Sequence, residues 1–288
     1  MKRIACLFAV AGLAGTALAG GVDGCGLVVL NTHEDGALTM SGNANVVIPS
    51  RVAYVNSCSG SAVRTVGNAT LECEKLMICG GMSLSGNSGC TGPVVCSSAP
   101  FANPFDGLLA PSMAGLSALP EKKITGGNVA IGPGYYANGI SISGGAQVSM
   151  AAGVYFVGHG FKITSGSLVG ADVTIVMLDG SLDFAGCASL QLSPPVSAGA
   201  MSGVVIFQPA QNTADMSIAG GAEVNIGGTM YSAKGRIKLS GNSSVVGVGP
   251  QMGDLVVADK VSIAGTGSVK IGHPSFAAII LPKLPLYD

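Results

Sequence analysis

A nine-residue motif recurs along this chain and restricts its possible folds more than any other feature. It reads apolar, any residue, apolar, small, glycine, any residue, small, any residue, apolar. The glycine or its equivalent falls at Gly42, Gly144, Ser165, Gly186, Gly220, Gly241 and Gly265. Successive copies at 144, 165 and 186 are 21 residues apart, as are those at 220 and 241. Such a unit is too short for a helix pair or a propeller blade, but it suits one coil of a β-solenoid with three short strands.

The composition favours the same class of fold. Glycine supplies 45 of the 288 residues, and charged residues make up only 10%. Disordered chains and helical bundles are far more charged, and collagen would need glycine at every third position. We therefore predict an all-β fold, a right-handed parallel β-helix (β-solenoid) with about 21 residues per coil. The formal net charge of −1 gives no attraction for nucleic acid, so we expect no nucleic-acid partner.

Within each coil the side chains should alternate between the core and the surface, as strand geometry requires. The recurring Ile, Leu and Val then point inward, and glycine and asparagine lie at corners that need positive φ. Equivalent corner positions carry Asn43, Asn68, Asn87 and Asn242. Where their coils are adjacent, we expect these side chains to hydrogen-bond along the corner.

The chain divides into four segments by composition. Residues 1–19 have a basic start, an apolar stretch and a small-x-small ending at Ala17 and Ala19, which predicts a signal peptide cleaved before Gly20. An uncleaved membrane anchor is the alternative. Residues 20–98 form Cys-rich N-terminal coils or a cap, residues 99–122 a Pro-rich loop along the solenoid, and residues 123–288 the regular β-solenoid with a C-terminal end strand.

The cysteines support an oxidising, exported environment. Six of them lie between residues 25 and 96 and are candidate disulfide cysteines: Cys25, Cys58, Cys73, Cys79, Cys90 and Cys96. Six cysteines allow 15 connectivities, so the sequence leaves their pairing open. A zinc site is disfavoured, because there is no C-x-x-C spacing and no nearby histidine. Cys187 lies among core positions and is expected to pack as a free thiol.

The C-terminal residues include a short apolar run between residue 276 and the prolines that follow. We interpret it as an end strand that caps the solenoid, or alternatively as an assembly strand through which copies join end to end. The residues of this candidate assembly strand are Phe276, Ile279, Ile280 and Leu281.

Extracellular β-helices often act on polysaccharides through grouped carboxylates. In this chain such a group would lie at outward positions of adjacent coils. One outward column reads Ser141, Lys162, Asp183, Ser217, Lys238 and Ser262; a second reads Gln147, Leu168, Ser189 and Glu223. Neither column has two carboxylates on adjacent coils, so we predict no catalytic, metal-binding or cofactor-binding residue. Lys162 and Asp183 are instead a candidate outer-face ion pair. Ice binding is disfavoured because there is no Thr-x-Thr ladder.

The order of several sequence segments suggests a family. They include DGALTMSGNA at 35–44, NPFDGLLAPS at 103–112, GVYF at 153–156, ASLQLSP at 188–194 and GVVIFQ at 203–208. Together they resemble the Gly-rich C-terminal region of bacterial TadG-like proteins, which are associated with the tight-adherence (Flp) pilus machinery. The resemblance covers nearly the whole mature chain, and it implies a β-solenoid of the bacterial envelope or surface.

These observations predict an exported, non-enzymatic structural or adhesive β-solenoid, with an association with tight-adherence pili implied by the resemblance. The expected location is the periplasm, the cell surface or the extracellular space. Expected partners are other envelope or surface proteins, further copies of the chain or glycans, with membrane contact only if the N-terminal segment is uncleaved. A glycan-binding or glycan-cleaving β-helix is the alternative, and a self-assembling filament subunit is a weaker one.

Overall fold

Parallel strands stack into a long β-solenoid in this protein. The structure, a computed structural model, describes residues 2–3, 24–197, 199, 201–220, 223–241, 255–266 and 268–271. These residues contain no helix, and they form about ten turns with about 23 residues per turn. The predicted β-solenoid is thereby confirmed, and the long connection between Leu192 and Val204 raises the average turn above the 21-residue repeat.

The strands are short, and most have three to six residues. They are β1 (Lys2–Arg3), β2 (Cys25–Val29), β3 (Leu38–Gly42), β4 (Asn45–Val55), β5 (Val63–Gly67), β6 (Thr70–Ile78), β7 (Met82–Gly86), β8 (Gly89–Cys90), β9 (Val94–Val95), β10 (Lys122–Ile124), β11 (Asn128–Ile131), β12 (Gly134–Tyr136), β13 (Ile140–Ile142), β14 (Ala146–Met150), β15 (Gly153–Val157), β16 (Phe161–Ile163), β17 (Gly166–Gly170), β18 (Val173–Met177), β19 (Leu182–Ala185), β20 (Cys187–Leu192), β21 (Val204–Gln208), β22 (Met216–Gly220), β23 (Glu223–Ile226), β24 (Thr229–Gly241), β25 (Leu255–Gly265) and β26 (Ser268–Lys270).

Three faces surround the core. Face A contains β3, β5, β7, β10, β13, β16, β19 and β22 with the second halves of β24 and β25. Face B contains β8, β11, β14, β17, β20, β23 and β26 with the first halves of β4 and β6. Face C contains β2, β9, β12, β15, β18 and β21 with the remaining halves of the four long strands. Among the described pairings only β1 with β7 is antiparallel.

The core is a stack of aliphatic and aromatic side chains, one set from each coil. On face A, Ile142, Ile163 and Phe184 pair in register on successive coils, and all three are fully buried. Within each strand, the residue between two inward side chains points outward. On β16 this gives the buried-exposed-buried pattern of Phe161, Lys162 and Ile163. One coil cannot enclose such a core alone, so stacking is what stabilises each coil.

The corner between faces A and B shows why glycine recurs at one position of the motif. Gly42, Gly67 and Gly86 pair on adjacent coils with positive φ angles of 78°, 88° and 79°. The predicted asparagine ladder is present beside them. Asn68 Nδ2 donates to Asn43 Oδ1 at 2.9 Å, and Asn87 Nδ2 donates to Asn68 Oδ1 at 3.4 Å. Asn242, the fourth predicted member, lies outside the described residues.

The spatial order of the coils differs from their order in the sequence. The C-terminal coil, β25 and β26, does not end the solenoid, because it stacks directly on β2, β3 and β4 of the N-terminal coils. The stack therefore runs from residue 122 to residue 271 and continues from residue 24 to residue 95. We call the contact between these two parts the seam.

The seam preserves the path of a continuous solenoid. Ile271 N donates to Val47 O at 2.8 Å on face B, and Val52 N donates to Gly24 O at 2.7 Å on face C. Val47 and Val52 belong to the same bent strand, β4. One corner of the coil thus separates the position of residue 271 from that of residue 24, although they are at opposite ends of the described chain.

Residues 96–121, which we call the strap, connect the two ends of the stack. β9 lies at one end, and β10 and β12 lie at the other, where Ala118 bridges to Tyr135. Ten coils with strands about 4.8 Å apart make a rod of roughly 45 Å. A 26-residue segment can span more than this length, at about 3.3 Å per extended residue. The strap therefore runs back over the rod without tension.

Candidate functional site

The strap covers the outward surface of face C. Its Phe101, Phe105, Leu108 and Ala110 pack against outward side chains of the strands, a cluster of Val28, Phe156, Val176, Phe207, Tyr231 and Val257. Strands β2, β18 and β21 are consequently buried at every position. Strands that are covered on both sides become nearly continuous apolar runs, and the runs at Val173–Met177 and Val204–Gln208 are the sequence signal of this covered face.

Aromatic contacts hold the strap at two places. Phe101 stacks on Tyr54 with ring centroids 4.2 Å apart, and Phe105 lies 5.1 Å from Tyr231. At the contact between Phe101 and Tyr54, the Asn56 side chain hydrogen-bonds to the Phe101 backbone as a neighbouring strand would. Its Nδ2 donates to Phe101 O at 2.8 Å, and its Oδ1 accepts from Phe101 N at 2.8 Å.

The second place includes a buried tyrosine hydroxyl. Asn103 Nδ2 donates to Tyr231 Oη at 2.9 Å. The pKa of Tyr231 is raised, chiefly by burial and also by the Asp106 carboxylate, while the bond from Asn103 opposes the shift. The hydroxyl therefore stays protonated at neutral pH and acts as an anchor for the strap.

A cleft of about 900 Å³ remains between the strap and the solenoid. Its floor is apolar and includes Phe207 and Tyr231, while its rim carries Asp106, Lys234 and Asp259. This volume lies within the range of ordinary ligand sites, and the lining combines apolar side chains with several polar and charged ones. The cleft can offer hydrogen-bond donors and acceptors to a polar ligand.

The cleft adjoins a group of charged residues at the seam. Lys260 Nζ lies 3.0 Å from Glu34 Oε2, and Arg236 Nη2 lies 3.8 Å from Glu34 Oε1. Asn31 Nδ2 donates to both carboxylate oxygens of Asp259 at 3.2 Å. These side chains remain partly exposed, so each ion pair contributes under about 1 kcal/mol. These interactions contribute mainly to the specificity of the coil order, because they join the N-terminal coil to two coils from the end of the sequence.

The predicted outer-face pair lies on face A. Lys162 and Asp183 are direct register partners on adjacent coils, as the column required. The same column continues through Ser217 and Lys238. Lys238 Nζ lies 2.6 Å from Asp215 Oδ2. The ion pair between Lys162 and Asp183 stays a prediction.

One outward column was predicted with the wrong residue. Leu168 points inward and is fully buried, and Ser167 takes the outward place between Gln147 and Ser189. The corner before β17 is one residue shorter than the preceding corner, so Gly166 pairs with Ala146. A one-residue change in register moves each side chain to the opposite face.

The candidate disulfide cysteines are spread over the N-terminal coils. Cys58 and Cys79 form a disulfide between adjacent coils, and Cys96 is also disulfide-bonded. The Sγ atoms of Cys73 and Cys90 lie 4.0 Å apart as thiols. Cys25 is buried at the start of β2.

The core cysteine of the central coils is as predicted. Cys187 is a buried free thiol, only 3% exposed. Its pKa is raised to about 11, first by burial and then by the nearby Asp183.

Two further sequence predictions fall largely outside the described residues. The signal segment is described only at Lys2–Arg3, and the assembly strand Phe276, Ile279, Ile280 and Leu281 is not described. The last described residue, Ile271, lies at the seam in the middle of the stack. No helix in the described part of the chain is long and apolar enough to cross a membrane. The same residues contain no group of three His, Cys, Asp or Glu placed to hold a metal ion.

Comparison with known proteins gives no relative. No protein family, no curated protein and no solved structure matches this chain.

Proposed function

We propose that this protein is an exported, non-enzymatic β-solenoid that serves as a rigid structural or adhesive element of the bacterial envelope or surface. The resemblance to TadG-like proteins adds an association with tight-adherence pili to the proposal. Its expected partners are other surface proteins, further copies of the chain or glycans.

One observation carries the proposal: in the described part of the chain, the outward surfaces of faces A and B present ladders of polar side chains on a stiff frame. On face A the column reads Lys123, Ser141, Lys162, Asp183 and Ser217, and on face B it reads Asn128, Gln147, Ser167 and Ser189. Within the described columns of these faces no two carboxylates lie on adjacent coils. Such surfaces suit repeated weak contacts along a partner better than concentrated acid–base chemistry.

The structural role is tested by comparing surface and core variants. Lys162→Ala and Asp183→Ala should leave adhesion or envelope integrity intact, because neither contributes to the core. Ile218→Asp buries a charge in the stack and should unfold the rod and abolish the role. Loss of function from the two surface variants alone, with the fold intact, would contradict the structural role.

Export is tested separately by locating the native chain. Cells are fractionated, their surface is sheared, and the N-terminus of the recovered protein is determined by mass spectrometry. A chain beginning at Gly20 in the sheared or secreted fraction is expected. Recovery in the inner membrane with Lys2 retained would replace export with an anchored assembly role.

The strap cleft favours glycan binding as a second candidate function. Asp106, Lys234 and Gln211 are exposed on its rim, and together they offer acceptors and donors to sugar hydroxyls. Binding of neutral polysaccharides should be weakened by Asp106→Asn and unaffected by the control Asp183→Asn. Acidic polysaccharides are incubated with the protein, with and without Ca²⁺, to detect cleavage. Equal binding by both variants would exclude the cleft as the glycan site, and new unsaturated sugar ends would indicate a lyase.

A further inference from the structure

Two thiols face each other at one end of the rod. Cys73 lies on β6, and Cys90 lies on β8 of the adjacent terminal coil, where their Sγ atoms are 4.0 Å apart. Both are half-buried and pack against the edge of the hydrophobic core. A disulfide needs an Sγ–Sγ distance of about 2 Å, so the sulfurs must approach by about 2 Å more.

The terminal coil can make this movement. Its strands β8 and β9 have only two residues each, and Val94 and Val95 are 40% and 38% exposed. Gly92 already lies very close to the backbone of Cys73, where a Cβ on residue 92 would lie 2.2 Å from Cys73 O. The chain thus approaches Cys73 closely just after Cys90, and a shift of β8 toward β6 would close the remaining gap between the two sulfurs.

We propose that Cys73 and Cys90 form a disulfide that attaches the terminal coil to the coil beneath it. It would extend the link that Cys58–Cys79 makes between the two preceding coils. The proposal uses the proposed export only as the source of an oxidising environment. Its chemistry needs only the two cysteines and a disulfide oxidant.

The oxidant is a disulfide, either of a small thiol such as glutathione or of a dithiol oxidase. The Cys90 thiolate attacks one sulfur of that disulfide, forms a mixed disulfide and releases one thiolate. Cys73 then loses its proton and attacks Cys90 Sγ, which forms the Cys73–Cys90 bond and expels the second thiolate. Two electrons pass to the oxidant, and the two protons of the cysteines are released.

The order of attack follows from the environment of the two sulfurs. The hydrogen-bonding contact with Cys73 lowers the pKa of Cys90 to about 7, with burial opposing this shift and the backbone at Gly92 adding to it. That same contact raises the pKa of Cys73. The charged groups beside them on β6, Glu72, Glu74 and Lys75, point to solvent. Cys90 is therefore the nucleophile near neutral pH, because thiolate is the reactive form.

The test is disulfide mapping of the full chain after exposure to oxidised glutathione. Remaining thiols are blocked by alkylation, and cleavage with cyanogen bromide and trypsin separates the four cysteines between residues 58 and 90. Mass spectrometry should then find a peptide joined through Cys73 and Cys90. In Cys73→Ser, Cys90 should retain a glutathione adduct, and Cys187→Ser should behave as the unsubstituted chain does.

A second readout uses the unsubstituted protein, so it remains valid if the cysteine variants fold poorly. Hydrogen exchange of residues 82–95 in the unsubstituted protein should slow at least several-fold on oxidation and recover on mild reduction. Two results would overturn the proposal. One is that both thiols remain alkylatable after oxidation, and the other is that Cys73 joins a different cysteine. Either result would leave the export test by N-terminal analysis unaffected.

Discussion

The close stacking of corner glycines leads to a sharp prediction about stability. Replacing Gly67 by alanine places a Cβ 2.7 Å from the carbonyl oxygen of Gly42 on the adjacent coil. Gly145 is a matched control, because its φ of 71° resembles the 88° of Gly67, yet a Cβ there meets nothing within 4 Å. Both substitutions introduce similar backbone strain, but only Gly67→Ala forces two coils apart.

A non-glycine residue in the left-handed region costs about 1–2 kcal/mol at either site. At Gly67 the carbonyl must also retreat by about 0.7 Å, from 2.7 Å to the 3.4 Å of ordinary contact. That movement weakens the bond from Asn68 N to Gly42 O, now 2.8 Å, and the Asn68–Asn43 side-chain bond. Each is worth about 1 kcal/mol, which gives a total near 3–4 kcal/mol.

Chemical denaturation of the two variants at neutral pH measures the difference directly. We expect Gly67→Ala to lose about 2 kcal/mol more free energy of unfolding than Gly145→Ala, from the two hydrogen bonds that only it strains. The entropic gain from replacing glycine is common to both and cancels. Equal losses would show that corner glycines serve only positive φ and that coil stacking does not require them.

Three further predictions concern the strap, the buried titratable groups and the seam. Phe105→Ala removes a side chain that is 3% exposed against Tyr231, so stability should fall by about 3 kcal/mol in denaturation experiments, and a loss below about 1 kcal/mol would mean that the strap is not anchored there. Burial, with Tyr136 second, raises the pKa of Tyr155 from 10.0 to about 12, and burial, with Asp183 second, raises that of Cys187 from 9.0 to about 11. Because the unfolded chain loses these protons first, the free energy of unfolding should fall as pH rises from about 9 to 12, and an unchanged value across that window would contradict the shifts. Finally, a circular permutant that joins residue 271 to residue 24 by a short Gly-Ser linker and begins at residue 112 should unfold cooperatively with the same circular dichroism spectrum, whereas an aggregated product would argue against the seam.

The sequence predicted most of the structure of a single coil. The alternation around Ile142 and Ile163 predicted which side chains face the core, and the motif glycines predicted the corners. The register of Lys162 with Asp183 followed from the 21-residue step. Leu168 was misplaced because a corner shortened by one residue leaves the spacing of apolar residues almost unchanged. The burial of side chains on β17 decides between the two registers, and the repeat alone does not.

The candidate site was less accessible to sequence reasoning. The strap was predicted as a Pro-rich loop along the solenoid, but its partner face was not identified. Phe101, Phe105 and Asn103 carry no pattern that indicates Tyr54 or Tyr231 as their neighbours. Those contacts join residues up to 128 positions apart, and they arise because the strap must return along the rod.

Local pattern and long-range stacking therefore control different properties of this protein. The 21-residue repeat specifies the coil, since strand alternation and corner conformation depend on a few neighbouring residues. The order of the coils is a tertiary property, because every coil presents a similar ladder of backbone groups and an apolar interior to any other coil. The seam joins Leu27 to Val256 and Glu34 to Lys260 through contacts that no local spacing encodes. Only the folded chain, with its strap returning along face C, brings the first coil onto the last and creates the cleft beside them.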